Sequence, residues 1–337
     1  MKIVEITLEI LTPMFSFGDD SKKDSVAEFR ITELKSLMRS TFRELFYFEK
    51  SEDMKEKEGR LFGNTERKSP VAFKLKYIKT NKYEKHEMLP HRSEERRRAL
   101  TSCLDSSRKI KFYMIISNVS NLELYIALLI EGSIVGALGK RSRKGFGSFR
   151  VNEIKVDGNK EYDNLLKGNP IEIFGNIQEL LQNKEYKLRN NNLNEIKENN
   201  NIIEFNLRFD DNNIDYPYVK NISVIPIEKN VLYSNLLNEI SKLTHNRVDD
   251  SFIEEFMGKE INKSILGNYK TKKRFASPVC VTFSENNDEK YLIIKEVNHN
   301  YVLKELGIVK NTDKHKANMK YINNYIKYLK DIGKGKN

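Results

Sequence analysis

Apolar and polar residues alternate over residues 3–11, with Val4, Ile6, Leu8 and Ile10 on one face and Glu5, Thr7 and Glu9 on the other. A period of two is that of a strand buried on one side. Thr12-Pro13 ends the run. From Arg30 the period lengthens: Ile31, Leu34, Leu37, Met38, Phe42, Leu45 and Phe46 recur at helical spacing, which predicts a helix packed on a sheet. Alternation returns over residues 71–78, and residues 110–117 predict a third strand. The charged stretch 49–60, a helix extension or an exposed excursion, and the irregular stretch 79–107 flank the 71–78 strand. Ser120-Asn-Leu-Glu123 has the form of a capping box and starts a second helix, whose apolar face is Leu122, Tyr125, Ile126, Leu129 and Ile130. Phe149, Val151, Ile154 and Val156 suit a fourth strand. The resulting order, β-α-β-β-α-β, is that of ferredoxin-like (RRM-like) domains.

Beyond residue 156 the pattern changes. Residues 157–201 read as a linker and helical connection, amphipathic around Ile171, Ile177, Leu180 and Leu181 and of low complexity from 190 onward. A second domain is expected over 202–337. Strands are predicted around Ile202, Phe205, Leu207 and Phe209, then over 219–227, 279–283 and 291–295, with helices over 231–243 and 319–332. The chain is therefore expected to be an α+β protein of two domains, the first spanning residues 1–156.

Charge narrows the partners. Lys and Arg outnumber Asp and Glu by 59 to 48 in the 337 residues, a formal net charge of +11 that favours polyanions. The only cysteines, Cys103 and Cys280, exclude a disulfide framework and a Cys-based zinc site. No apolar run is long enough to cross a membrane, which points to a cytoplasmic protein.

The densest chemistry lies in residues 132–151, GSIVGALGKRSRKGFGSFRV, with five glycines, five cations and no acid. Glycines let a backbone approach an anion closely, and the cations supply charge, so the stretch is suited to phosphate. A solvated basic turn is the simpler alternative. Lys35, Arg39 and Arg43 recur every fourth residue on the first helix and project as a column, either its wet side or a second basic wall of the same groove. Lys270, Lys272, Lys273 and Arg274 form a third cluster. Histidines His86 and His91 lie near Arg92, Arg96, Arg97 and Arg98. A base beside cations would suit metal-independent RNA cleavage, whereas exposed histidines need no such role. Neither histidine has the spacing of a helical metal pair, and Asp19, Asp20 and Asp24 read either as loop residues or as a metal or RNA-cleaving group.

Gly136-Ala-Leu-Gly139-Lys-Arg141-Ser-Arg143-Lys-Gly145-Phe-Gly147-Ser148, placed after a β-α-β-β-α pattern, resembles the glycine-rich loop of the RAMP proteins, the RNA-binding subunits of CRISPR effector complexes. Thr12-Pro13, the helix from Arg30 to Arg39, Leu61-Phe62-Gly63 and Arg274-Phe-Ala-Ser277-Pro278 narrow the likeness to the first-subunit family of type III-B (Cmr) complexes. The family often has glycine where Ser36 stands and tryptophan shortly after Arg39, and this chain has no tryptophan.

The resemblance implies two ferredoxin-like RAMP domains in tandem, the second degenerate. It implies a non-catalytic subunit, without cofactor or metal, that holds crRNA toward its 3′ end among other Cmr-type subunits and in contact with target RNA. The expected RNA-binding residues are Lys35, Arg39, Arg43, Gly139, Lys140, Arg141, Ser142, Arg143, Lys144, Gly145, Phe146, Gly147, Ser148 and Arg274, with Phe146 stacking on a base and the amides of Gly139, Gly145 and Gly147 on the RNA backbone. The alternatives are a RAMP-type endoribonuclease that processes precursor crRNA with a histidine of the 86–91 segment, and a basic scaffold that binds only proteins.

Overall fold

A computed structural model describes residues 1–18, 26–78, 84–88, 100–182, 184–186, 196–199, 202–206, 216–245, 277–298 and 313–335. Strand β1 (Lys2–Ile10) leads to helix α1 (Ile31–Leu45), then to α2 (Ser51–Phe62) and β2 (Val71–Ile78). A short hairpin follows, β3 (Glu84–Glu87) with β4 (Leu100–Cys103), and then β5 (Lys109–Ile116), α3 (Leu122–Val135) and β6 (Phe149–Val156). The first sheet is antiparallel in the order β2-β5-β1-β6. With the hairpin set aside, β1-α1-β2-β5-α3-β6 in that order is a split βαβ arrangement. Its inward positions are those the alternation assigned: Val4, Ile6, Leu8 and Ile10 meet Ile110, Phe112, Met114 and Ile116 in the core.

The charged stretch 49–60 is an ordered helix, α2, continuous with Leu61 and Phe62, which bury its end against the core. The capping box at Ser120–Glu123 does not form. Asn118 instead accepts from the Ser120 amide and starts a 3₁₀ turn over Val119–Asn121, and Glu123 pairs with Lys184. A true capping box stands at Asn169 and Glu172, at the start of α4 (Pro170–Leu181).

The second sheet contains β7 (Ile196–Asn199), β8 (Ile202–Asn206), β9 (Val219–Ile227), β10 (Val279–Asn286) and β11 (Glu289–Val297), in the antiparallel order β10-β11-β9-β8-β7. Helices α5 (Tyr233–His245) and α6 (Asp313–Gly333) pack together, and α6 also lies against β9 and β11. The segment read as linker thus includes a strand of this sheet. Among the described residues the order from β9 on is β-α-β-β-α, and β8, which precedes β9 in the chain, takes the side of β9 that a closing fourth strand would take.

Helix α3 joins the two halves. It was expected to bury one face, yet every residue from Leu122 to Val135 except Glu123 is buried. The reason is in the sequence: Leu124, Ala127 and Leu128 make the other side apolar too, and a helix apolar all round must be covered all round. Packed against it are α1, α4 and β6 on one side and β10 and β11 on the other. No helix among the described residues is long and apolar enough to cross a membrane.

Candidate nucleic-acid interface

Because α3 lies between the sheets, the loop that leaves it at Gly136 is pressed between them as well. It is anchored from both sides. From the first half, Thr12 accepts the Ser148 amide at 2.9 Å and donates its hydroxyl to the Gly145 carbonyl at 2.7 Å, and the Pro13 carbonyl takes the Gly147 amide at 3.0 Å. Thr12-Pro13 is therefore a clamp on the loop. From the second half, the Val281 carbonyl accepts the Gly145 amide at 2.8 Å and the Val281 amide donates to the Arg143 carbonyl at 3.1 Å.

These bonds change what the glycines are for. Gly147 has φ +70°, and a Cβ there would stand 1.8 Å from the Leu138 carbonyl oxygen. Gly145 has φ +85°, and its Cβ would meet the Phe283 ring at 2.7 Å. Both positions require glycine so that the chain can turn against its own backbone and against β10. The Gly145 and Gly147 amides expected on RNA are already bonded to carbonyls. Phe146, expected to stack on a base, is 2% exposed and packs on Phe15 at 5.4 Å, so its face is closed. Ser148 is fully buried, and its hydroxyl donates to Gly145 and accepts from the Phe283 amide.

The cations of the loop divide between two sides. Lys140 is exposed, 5.2 Å from the Phe17 ring, and its amide bridges the Phe15 carbonyl. Ser142 and Arg143 face a cleft of about 390 Å³ walled by Arg30, Glu33, Ser36, Leu37, Ser40 and Glu44 around α1, by residues 135–140, and by Cys280 and Lys295 of the second sheet. Arg143 donates to the Ser277 carbonyl.

Arg141 turns toward α5 and α6, and Lys144 is buried beside it. Arg141 holds φ +60°, a left-handed conformation costly for any residue with a Cβ, with its guanidinium 5.7 Å from the Phe146 ring and 3.3 Å from the Ser241 hydroxyl. Its Nε is buried and makes no hydrogen bond, and burial lowers its pKa. Burial, with Arg141 beside it, pulls the Lys144 ammonium down to about 8. Among the described residues no carboxylate pairs with Arg141, Arg143 or Lys144.

The column on α1 differs. Arg39 and Arg43 both reach Glu58 of α2, a buried carboxylate, and Lys35 donates to Ser69 at 3.0 Å, its pKa lowered by burial and by Arg39. These three side chains lie on the flank toward α2, while Ser36 and Ser40 face the cleft. The column and the loop therefore do not line one groove.

Two acids do enter the cleft. Burial raises the Glu33 pKa against the pull of nearby Arg30 and the Gly139 amide, so that amide too is engaged. Glu44 pairs with Lys295 at 2.6 Å with both side chains nearly out of solvent. Burial alone would lower the Lys295 pKa, but the Glu44 carboxylate outweighs it and holds the ammonium above its usual value. Such a pair adds little net stability but strongly disfavours any packing that separates α1 from β11.

Arg274, His91, the arginines at 92 and 96–98, the lysines at 270–273 and Asp19, Asp20 and Asp24 lie outside the described residues. His86 is on β3 and opens on a different cleft, with Asp105, a partner that spacing in the sequence could not signal.

A model of the RAMP superfamily matches residues 7–150. The match takes in 144 of the 337 residues. It runs from within β1 to the start of β6, so both Thr12-Pro13 and the whole glycine loop fall inside it. Two solved structures resemble the chain in fold. The apo crystal structure of Cmr1 from Pyrococcus furiosus has a TM-score of 0.56 and 15% identity, with 88% of each chain covered. A chain of the type III-B Cmr-beta complex, solved by cryo-EM with cognate target RNA and AMPPnP, has a TM-score of 0.51 and 14% identity, covering 97% of this chain and 99% of that one. No curated protein sequence matches. The structural likeness extends beyond the matched residues into the second half.

Proposed function

We propose that the chain is a non-catalytic, cytoplasmic RNA-holding subunit of a type III-B (Cmr) effector complex, built of two ferredoxin-like units in tandem with the second degenerate. It binds crRNA toward the 3′ end, beside target RNA and other RAMP subunits. The observation that carries this reading is the set Arg141, Arg143 and Lys144. They are three cations in a glycine-braced loop, with no carboxylate among the described residues to neutralise them; Arg143 faces the cleft lined by Ser36, Ser40 and Ser142, and Arg141 and Lys144 lie on the loop's other side. A phosphate backbone supplies the missing negative charge. Hydroxyls beside cations are suited to phosphate and 2′-hydroxyl contacts, which position RNA without reading its sequence.

The amides of Gly139, Gly145 and Gly147 are spent on the protein, so contact with RNA falls to side chains: Lys140 and Arg143 on the cleft side, Arg141 toward α5 with Lys144 beside it. Replacing Arg141, Arg143 and Lys144 together by Ala is expected to weaken binding of a single-stranded guide RNA by about tenfold or more at physiological salt, measured by fluorescence anisotropy. Unchanged affinity would remove the loop from the interface.

A further inference from the structure

The β3–β4 hairpin, which the RNA reading does not use, brings three metal-ligating side chains together. Glu84 and His86 are two residues apart on β3 and so share one face. Opposite them, β4 ends at Cys103, the register partner of Glu84, and Leu104 is tied to Met14 by two backbone hydrogen bonds of 2.9 and 3.0 Å. The next residue is Asp105, so its backbone position is fixed by the core, and its carboxylate returns to the β3 face.

His86 Nε2 stands 3.1 Å from Asp105 Oδ1 and 3.6 Å from Glu84 Oε2, and the three ligand atoms all lie within 4.8 Å of one another. Nitrogen and oxygen ligands held about 2.0 to 2.2 Å from one ion stand roughly 3 to 3.5 Å apart at neighbouring positions. The spacing already approximates that of a coordination shell. Among the described residues, His86 is the only basic side chain paired with either carboxylate. Two carboxylates sharing one imidazole are short of positive charge in a chain whose net charge is +11.

We propose that Glu84, His86 and Asp105 bind a divalent first-row metal ion. One imidazole and two carboxylates favour Zn²⁺ or Mn²⁺ over Ca²⁺, which takes oxygen ligands, and over ions that need thiolates. The remaining coordination positions face a cleft of about 460 Å³ lined by His86 and Asp105 on one side and by Tyr233, Asn238 and Lys290 on the other. The ion would thus stand where the two halves of the chain meet, independently of whether the loop holds RNA.

The test uses the full chain, stripped with EDTA and dialysed, then titrated with Co²⁺ alone and followed by its visible d–d absorption, and with Zn²⁺ in competition with a chromophoric chelator. One saturating equivalent is expected. His86→Ala should abolish it, and Asp105→Asn and Glu84→Gln should each weaken it by about tenfold or more. Circular dichroism confirms that each variant is folded, and if His86→Ala fails to fold, the exposed Glu84→Gln decides the matter. Absence of stoichiometric binding, or equal binding by the parent and the folded variants, overturns the proposal.

Discussion

Three cations of the α1 column, Lys35, Arg39 and Arg43, and three of the glycine loop, Arg141, Arg143 and Lys144, end in different electrostatic situations. Two of the column's charges share the buried Glu58 and the third bonds Ser69. Among the described residues Arg141 and Arg143 bond a hydroxyl and a carbonyl and none of the three loop cations pairs with a carboxylate, and burial makes the charge on Lys144 costly. Equal counts of cations therefore do not mean equal demand for a polyanion. Arg39 and Arg43 gain less from RNA, because a phosphate there must compete with Glu58, whereas at the loop it meets cations with no carboxylate partner among the described residues.

The comparison breaks most completely if the loop loses its shape. Gly147→Ala puts a Cβ at φ +70° almost onto the Leu138 carbonyl, so it should destabilise the protein by about 3 kcal/mol or more in urea denaturation, with RNA binding lost as the loop shifts. A stability within about 0.5 kcal/mol of the parent would show that the loop is not held as described.

A smaller effect sharpens it. The Lys144 pKa is lowered to about 8 by burial and Arg141, against about 10.5 in the unfolded chain. Between those values the unfolded chain keeps a proton that the native protein has released, so Lys144 makes stability rise with pH across that window. RNA phosphate would restore the charge. Binding then takes up a proton, and affinity should fall between pH 8 and 9.5 by up to about tenfold per unit. Lys144→Arg, which stays charged, should flatten the curve. A parent curve already flat across that range would place Lys144 away from RNA.

Much of this was legible in the chain and some was not. Strict alternation in β1 fixed which side faces the core, because Val4, Ile6, Leu8 and Ile10 are apolar without exception and the sheet is covered on that side. The complete burial of α3 was legible as well, in Leu124, Ala127 and Leu128, had the helix not been read for one stripe alone. The fate of the glycines was not. Gly145 needs to be small because of Phe283, 138 residues away in the chain, and no local pattern reports such a contact. The pairing of Arg39 and Arg43 with Glu58 was hidden for a related reason: the acid sits in a stretch whose charge suggested exposure, yet its Leu61-Phe62 end draws the helix onto α1. The capping box at Ser120 failed because Asn118, two residues earlier, supplies a competing side-chain acceptor.

The most direct measurement of the difference between loop and column is the slope of log K for single-stranded RNA against log salt concentration, compared for the parent, Arg141→Ala/Arg143→Ala/Lys144→Ala and Lys35→Ala/Arg39→Ala/Arg43→Ala. Each phosphate contact contributes about 0.7 to the slope. The loop variant is expected to lose about 2 from the slope and the column variant less than about 0.7. A column variant that lost as much as the loop variant, or a loop variant with the parent's slope, would contradict the account.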